Sequence, residues 1–142
     1  MPEEQVYQVD QEGVPQVKAK RLTNTAVIPQ RKSFGAAGYN LVSDQDITVP
    51  ARDRTLVGTG VSLEIPQGRH GQIRPRSGLA LAGITTDRGI IDSDYRGEVM
   101  VIMVNTTNAS FKIEQGDHIA QILIIRNEEH KFQEVVELTN TH

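Results

Sequence analysis

Residues 89 to 99 read Gly89-Ile90-Ile91-Asp92-Ser93-Asp94-Tyr95-Arg96-Gly97-Glu98-Val99, placing two aspartates, a serine hydroxyl, an aromatic and a guanidinium between apolar, strand-forming segments. In an extended strand Asp92 and Asp94 would share one face. Asp-Ser-Asp favours a turn instead, because short polar side chains bond nearby backbone and compete with a regular ladder. Such a turn aims Asp92 and Tyr95 into a common space. There a carboxylate could hold and deprotonate a water while the ring covers a flat ligand surface. An acidic hairpin turn with an outward tyrosine is the plain alternative, and these residues alone leave both readings open.

A second stretch with chemical potential is Pro75-Arg76-Ser77-Gly78-Leu79-Ala80-Leu81-Ala82-Gly83. It is the one place suited to a short helix, a turn or two long, whose first backbone N–H groups lie beside Arg76 and Ser77 and suit an anion. A third, Ser33-Phe34-Gly35-Ala36-Ala37-Gly38-Tyr39-Asn40-Leu41, has residues small enough for backbone to approach a packed neighbour or a ligand closely.

Positioning these stretches requires a scaffold, and the pattern is of strands. The chain has 142 residues, a size for one domain. Met1 to Pro15 is polar and acidic without periodicity and reads as a flexible leader (1–15), with the β domain spanning 16–142. Val17 to Leu22 alternates as an edge strand; Ile47-Thr48-Val49, Thr55-Leu56-Val57 and Val61 to Ile65 read as three separate runs. Gly71 to Arg74, Phe111-Lys112-Ile113 and His118 to Ile125 add further strands, with Gln115-Gly116-Asp117 as a turn. Glu98 to Val104 is apolar almost throughout, which predicts burial on both faces. Lys131 to Leu138 reads as a last alternating strand. About ten short strands and no sustained helical period predict an all-β sandwich or jelly roll.

Composition narrows the function. With no cysteine there is no thiolate chemistry, and the four histidines, His70, His118, His130 and His142, do not fall at zinc-site spacings. A net charge of -3 and 4% aromatic residues give no broad attraction for nucleic acid. Lys18, Lys20, Arg21, Arg31 and Lys32 are the only basic cluster, and they read as a solvated face. No signal peptide or membrane-length apolar run is present, so the expectation is an intracellular protein, cytoplasmic or nuclear, or a virion-associated one.

Four stretches, in order, resemble the trimeric dUTPase (dUTP pyrophosphatase) family. Ala36 to Leu41 is similar to its first motif, Pro75 to Ala80 to the second, Gly89 to Glu98 to the third, and Gly116-Asp117-His118-Ile119-Ala120-Gln121-Ile122-Leu123 to the fourth. The resemblance implies a jelly-roll subunit in a threefold homotrimer with active sites at subunit boundaries. It implies hydrolysis of dUTP to dUMP and pyrophosphate by attack on the α-phosphorus, with Mg²⁺ as cofactor; the composition separately argues for no membrane and no nucleic-acid partner. By that resemblance Asp92 activates the water, Tyr95 packs on the deoxyribose and excludes a 2′-hydroxyl, and Gly89 offers backbone to the uracil edge. Arg76, Ser77 and Gly78 face the phosphates, and Gln121 approaches them from the fourth motif.

The sequence departs from the family pattern at four places. Asn40 stands where the first motif carries an aspartate that acts on the metal through water, so Asn40 keeps only a weak, indirect metal role. His118 replaces an arginine or lysine, and Asp87-Arg88 replaces small residues in the hairpin. The fifth motif, a Gly-rich arm bearing an aromatic, is not found; the sequence ends at Glu137-Leu138-Thr139-Asn140-Thr141-His142, about where it would begin. Without an arm to close it, a site is expected to bind nucleotide and turn over slowly. These departures define an alternative, a weakened or silent dUTPase-fold trimer acting as a regulatory or protein-interaction module. A relative of the dCTP deaminases is a further possibility, which the Ser-Gly-Leu-Ala and Asp-Tyr-Arg-Gly patterns fit less well.

Overall fold

The computed structural model describes residues 9–87 and 89–141. Its strands are β1 (Lys18–Arg21), β2 (Tyr39–Val42), β3 (Ile47–Val49), β4 (Arg54–Glu64), β5 (Arg69–Arg74), β6 (Ile84–Asp87), β7 (Ile90–Ile91), β8 (Glu98–Asn105), β9 (Phe111–Ile113) and β10 (His118–Arg126). A single turn of helix, α1 (Ser77–Leu81), lies between β5 and β6. Two four-stranded antiparallel sheets, ordered β1-β4-β8-β6 and β2-β10-β5-β7, form a jelly roll, with β3 and β9 as a separate pair. Both sheets feed one core: Val57, Val61, Val99, Val101 and Met103 from the first, Leu41, Ile73, Ile91 and Ile122 from the second. No described helix is long and apolar enough to cross a membrane.

Several expectations are corrected. The runs expected as Thr55 to Val57 and Val61 to Ile65 are one strand, β4; Gly58-Thr59-Gly60 between them is a bulge, with Gly60 at φ +69°. Thr59 holds this bulge to the neighbouring strand by donating to the Val99 carbonyl at 2.7 Å. Strand β8 is not buried on both faces. Val99, Val101 and Met103 are fully covered, while Met100, Ile102 and Val104 are only partly covered, with exposed Leu56 opposite Ile102.

Lys131 to Leu138 forms no strand, although its residues alternate. A strand needs a ladder for its backbone groups, and this segment meets none among the described residues. Phe132 and Val136 are consequently fully exposed, at 104% and 101%. Ahead of β1, Val9 and Pro15 form a bridge around Asp10, whose carboxylate accepts the Glu12 and Val14 N–H groups at 2.9 Å. The rest of the expected leader, residues 1–8, and Arg88 of the Asp87-Arg88 pair lie outside the described residues.

Candidate active site

The stretch around Asp92 is a turn. Strand β7 ends at Ile91, the Tyr95 N–H donates to the Asp92 carbonyl at 3.1 Å, and β8 starts at Glu98. Arg96 closes the turn by donating to the Ser93 carbonyl at 2.6 Å, and its Nε lies 3.3 Å from Glu64 on β4. The arm is docked on β5 through the Ile73 N–H to the Gly89 carbonyl, 2.7 Å, and the pairing of Gly71 with Ile91. Asp92 and Tyr95 then line one cavity of about 170 Å³ with Ile73, Ile90 and Glu98, as the turn reading requires. Asp92 is exposed and accepts no side-chain or backbone hydrogen bond at its carboxylate among the described residues. Asp94 does not line this cavity.

Tyr95 is held in place from two sides. Its hydroxyl donates to the Glu98 carbonyl at 2.7 Å, and its ring lies over Gly97, where a Cβ would sit 2.6 Å from the hydroxyl oxygen. Only glycine leaves room for the ring there. Glu98 brings a second carboxylate to the cavity, but that carboxylate accepts the Gly60 N–H at 3.0 Å and so secures the β4 bulge. Asp92 is the carboxylate left available for a water.

The other candidates gather elsewhere. In the sheet order β2-β10-β5, Gln121 lies opposite Asn40 on one side and Arg74 on the other. Arg76 and Ser77 follow just beyond the end of β5, so three separate stretches of sequence meet at one end of the sheet. They line a recess of about 400 Å³ with Asn40, Ser77, Gly78, Gln121, Arg76 and Lys32 in its wall. An adjoining lobe of about 240 Å³ shares Lys32, Asn40 and Arg76 and adds Arg31 and His118. No Asp or Glu lines either lobe among the described residues.

Hydrogen bonds fix the recess without filling it. The Gln121 amide donates to the Pro75 carbonyl at 3.1 Å, and Arg76 donates to the His118 carbonyl at 3.3 Å. Gly38 is buried against Gln121, where a Cβ would overlap Oε1 and lie 3.1 Å from Cδ. Gly78 is different: a Cβ there would meet nothing within 4 Å, and one at Gly89 would make only an ordinary 3.6 Å contact. The chain's own packing therefore does not require glycine at 78 or 89, whereas backbone approach to a ligand would.

The predicted site residues thus fall into two groups. Asn40, Arg76, Ser77, Gly78 and Gln121 share one recess, Asp92 and Tyr95 share a cavity that Gly89 does not line but adjoins through its bond to Ile73, and the two share no lining residue. Residues 24–142 match the sequence profile of the dUTPase family. The chain belongs to the dUTPase family. It is 49% identical over 106 residues to the deoxyuridine 5'-triphosphate nucleotidohydrolase of Paramecium bursaria Chlorella virus 1, covering 74% of this chain and 75% of that one. The enzyme of the same name from Helicobacter hepaticus is 46% identical over 125 residues, covering 86% of this chain and 79% of its own. Among solved structures, a mutant dUTPase of phage phi11 of S. aureus superposes with a TM-score of 0.81 at 20% identity, covering 88% of this chain and 99% of that one. That structure is described as revealing the coordination of a structural Mg(II) ion. In this dUTPase-family chain, the four stretches that resemble the family's motifs lie at the start of β2, at the β5–α1 junction, in the β7–β8 turn and on β10.

Two lining residues escaped the sequence reading. Glu98 lies within the third motif, but strand alternation gave no reason to separate it from its neighbours. Lys32 precedes the first motif and reads as one of several surface cations; only its place in the recess distinguishes it.

Proposed function

We propose that this chain hydrolyses dUTP to dUMP and pyrophosphate at sites which two copies build together, one giving the Asp92–Tyr95 cavity and another the Arg76–Ser77–Gln121 recess. The observation that carries this reading is that separation: a carboxylate and an aromatic in one cavity, phosphate donors in another, and no shared wall. Asp92 takes a proton from a water, whose oxygen attacks the α-phosphorus. The bond from that phosphorus to the bridging oxygen breaks, and its electron pair leaves with pyrophosphate. Arg76 and the Ser77 hydroxyl stabilise charge on the phosphate oxygens because they are already aimed at the recess and need no reorganisation. Tyr95, fixed by the Glu98 carbonyl and Gly97, packs on the sugar and leaves a 2′-hydroxyl no space.

The donor set limits how Mg²⁺ is held. Among the described residues no cluster of three His, Asp or Glu side chains could cage an ion, and Asn40 gives the recess a neutral oxygen. This suits an ion carried by the triphosphate that keeps several waters, one of them reaching Asn40. When bound, Mg²⁺ supplies charge neutralisation on the phosphates.

A threefold homotrimer is supported by two apolar surfaces. Leu56, Met100, Ile102 and Val104 form a partly uncovered sheet face, and the tail exposes Phe132, Val136 and Leu138. Both suit burial against further copies.

The test is pyrophosphate release in Mg²⁺ from dUTP, compared with UTP and dCTP. Release from dUTP alone is expected. Absence of release even with a Gly-rich arm appended would instead support the silent regulatory trimer, which Asn40 and His118 favour, and ammonia release from dCTP would support the deaminase reading.

A further inference from the structure

Among the cations near the recess, each has a different employment. Arg31 organises the loop before β2: its Nη1 donates to the Phe34 carbonyl at 2.9 Å, and its guanidinium lies 5.3 Å from the Phe34 ring and 5.7 Å from the Tyr39 ring. The Ala36 N–H donates to the Ser33 carbonyl at 3.1 Å, and Asn40 to the Gln30 carbonyl at 2.8 Å, so this loop is pinned at both ends. Lys32 sits on the pinned loop with an exposed side chain that makes no hydrogen bond or ion pair among the described residues. Lys18, Arg54, Arg96 and Lys112, by contrast, each lie within 3.8 Å of a carboxylate.

Lys32 also lines both lobes of the recess together with Arg76, and no carboxylate among the described residues lines either lobe. An ammonium on a fixed backbone, unpaired and facing a carboxylate-free recess, is suited to a multiply charged anion. We propose that Lys32 is a further phosphate-binding residue of this site, carrying part of the charge of the leaving pyrophosphate. The proposal rests on the dUTP reading above and extends it to a residue outside the four motifs. Asn40 is consistent with this, because it places a neutral amide in the wall that Lys32 shares.

The test is calorimetric titration of the full chain with inorganic pyrophosphate and, separately, dUMP, both in EDTA. Lys32→Ala should weaken pyrophosphate binding about tenfold, as expected for one charged hydrogen bond, and leave dUMP binding unchanged. Lys32→Arg should restore most of the loss, and the unaltered chain should lose pyrophosphate affinity with salt more steeply than Lys32→Ala. Equal pyrophosphate affinities for the unaltered and Lys32→Ala chains would overturn the proposal while leaving dUTP hydrolysis intact. An unaltered chain that binds neither pyrophosphate nor dUMP and releases nothing from dUTP would overturn both.

Discussion

Asn105 and the recess around Arg76 are both polar places in a mostly apolar fold, and they differ in where their hydrogen bonds go. The Asn105 side chain is buried, donates to the Val49 and Ala109 carbonyls at 3.1 and 2.8 Å, and accepts the Thr107 N–H and hydroxyl at 2.9 and 2.7 Å. Its capacity is used up within the chain, and it ties β3, β8 and the loop before β9 together. In the recess, Lys32 has no partner among the described residues, and Arg76 and Gln121 each make one side-chain hydrogen bond to a carbonyl. Polar groups whose bonding is complete build the fold, since breaking such a set leaves buried atoms unsatisfied. Polar groups with bonding to spare are free for a substrate.

Substitutions should respect that division. Asp92→Asn is expected to lower dUTP turnover by about 10³-fold or more, the scale of losing a general base, with the melting temperature unmoved. Activity assays beside thermal melts check it, and a large fall in stability would break the comparison. Asn105→Ala should do the reverse, costing about 3 kcal/mol in denaturant unfolding while turnover by the folded fraction stays near normal.

A smaller effect is expected at Gly97, where a methyl would lie 2.6 Å from the Tyr95 hydroxyl and 2.8 Å from Cζ. Gly97→Ala should shift the ring, reduce kcat/KM for dUTP roughly tenfold and narrow the preference over UTP, by the size of a misplaced packing contact. The smallest effects belong to Asn40 and His118, which line the same lobe. Asn40→Asp and His118→Arg should each change activity a few-fold, and the double substitution should depart from the product of the two, as neighbours that share a field do. Strictly additive effects would separate them.

Much of this was legible in the residues. The turn at Asp92, the short helix after Pro75 and the apolar run of β8 all followed from local composition, where side-chain chemistry and backbone preference agree. Strand β4 did not, because Gly58-Thr59-Gly60 interrupts the alternation and is carried as a bulge through the bonds of Thr59 to Val99 and of Gly60 to Glu98, on a strand distant in sequence. The unpaired tail was missed for the opposite reason: Phe132 to Leu138 has strand periodicity, but periodicity does not say whether a partner strand is present. Lys32 carried no local signal at all, since its meaning comes from Asn40 and Arg76 across the sheet end.

If Asp92 and Arg76 act from different copies of the chain, mixing inactive variants will reveal it. Asp92→Asn and Arg76→Ala chains, each inactive alone, would be unfolded together, refolded into mixed assemblies and assayed for pyrophosphate release from dUTP, with native mass spectrometry confirming the mixture. Activity should return in the mixed assemblies, because some boundaries then pair an intact Asp92 cavity with an intact Arg76 recess. Confirmed mixed assemblies that remain inactive at every ratio would contradict that arrangement.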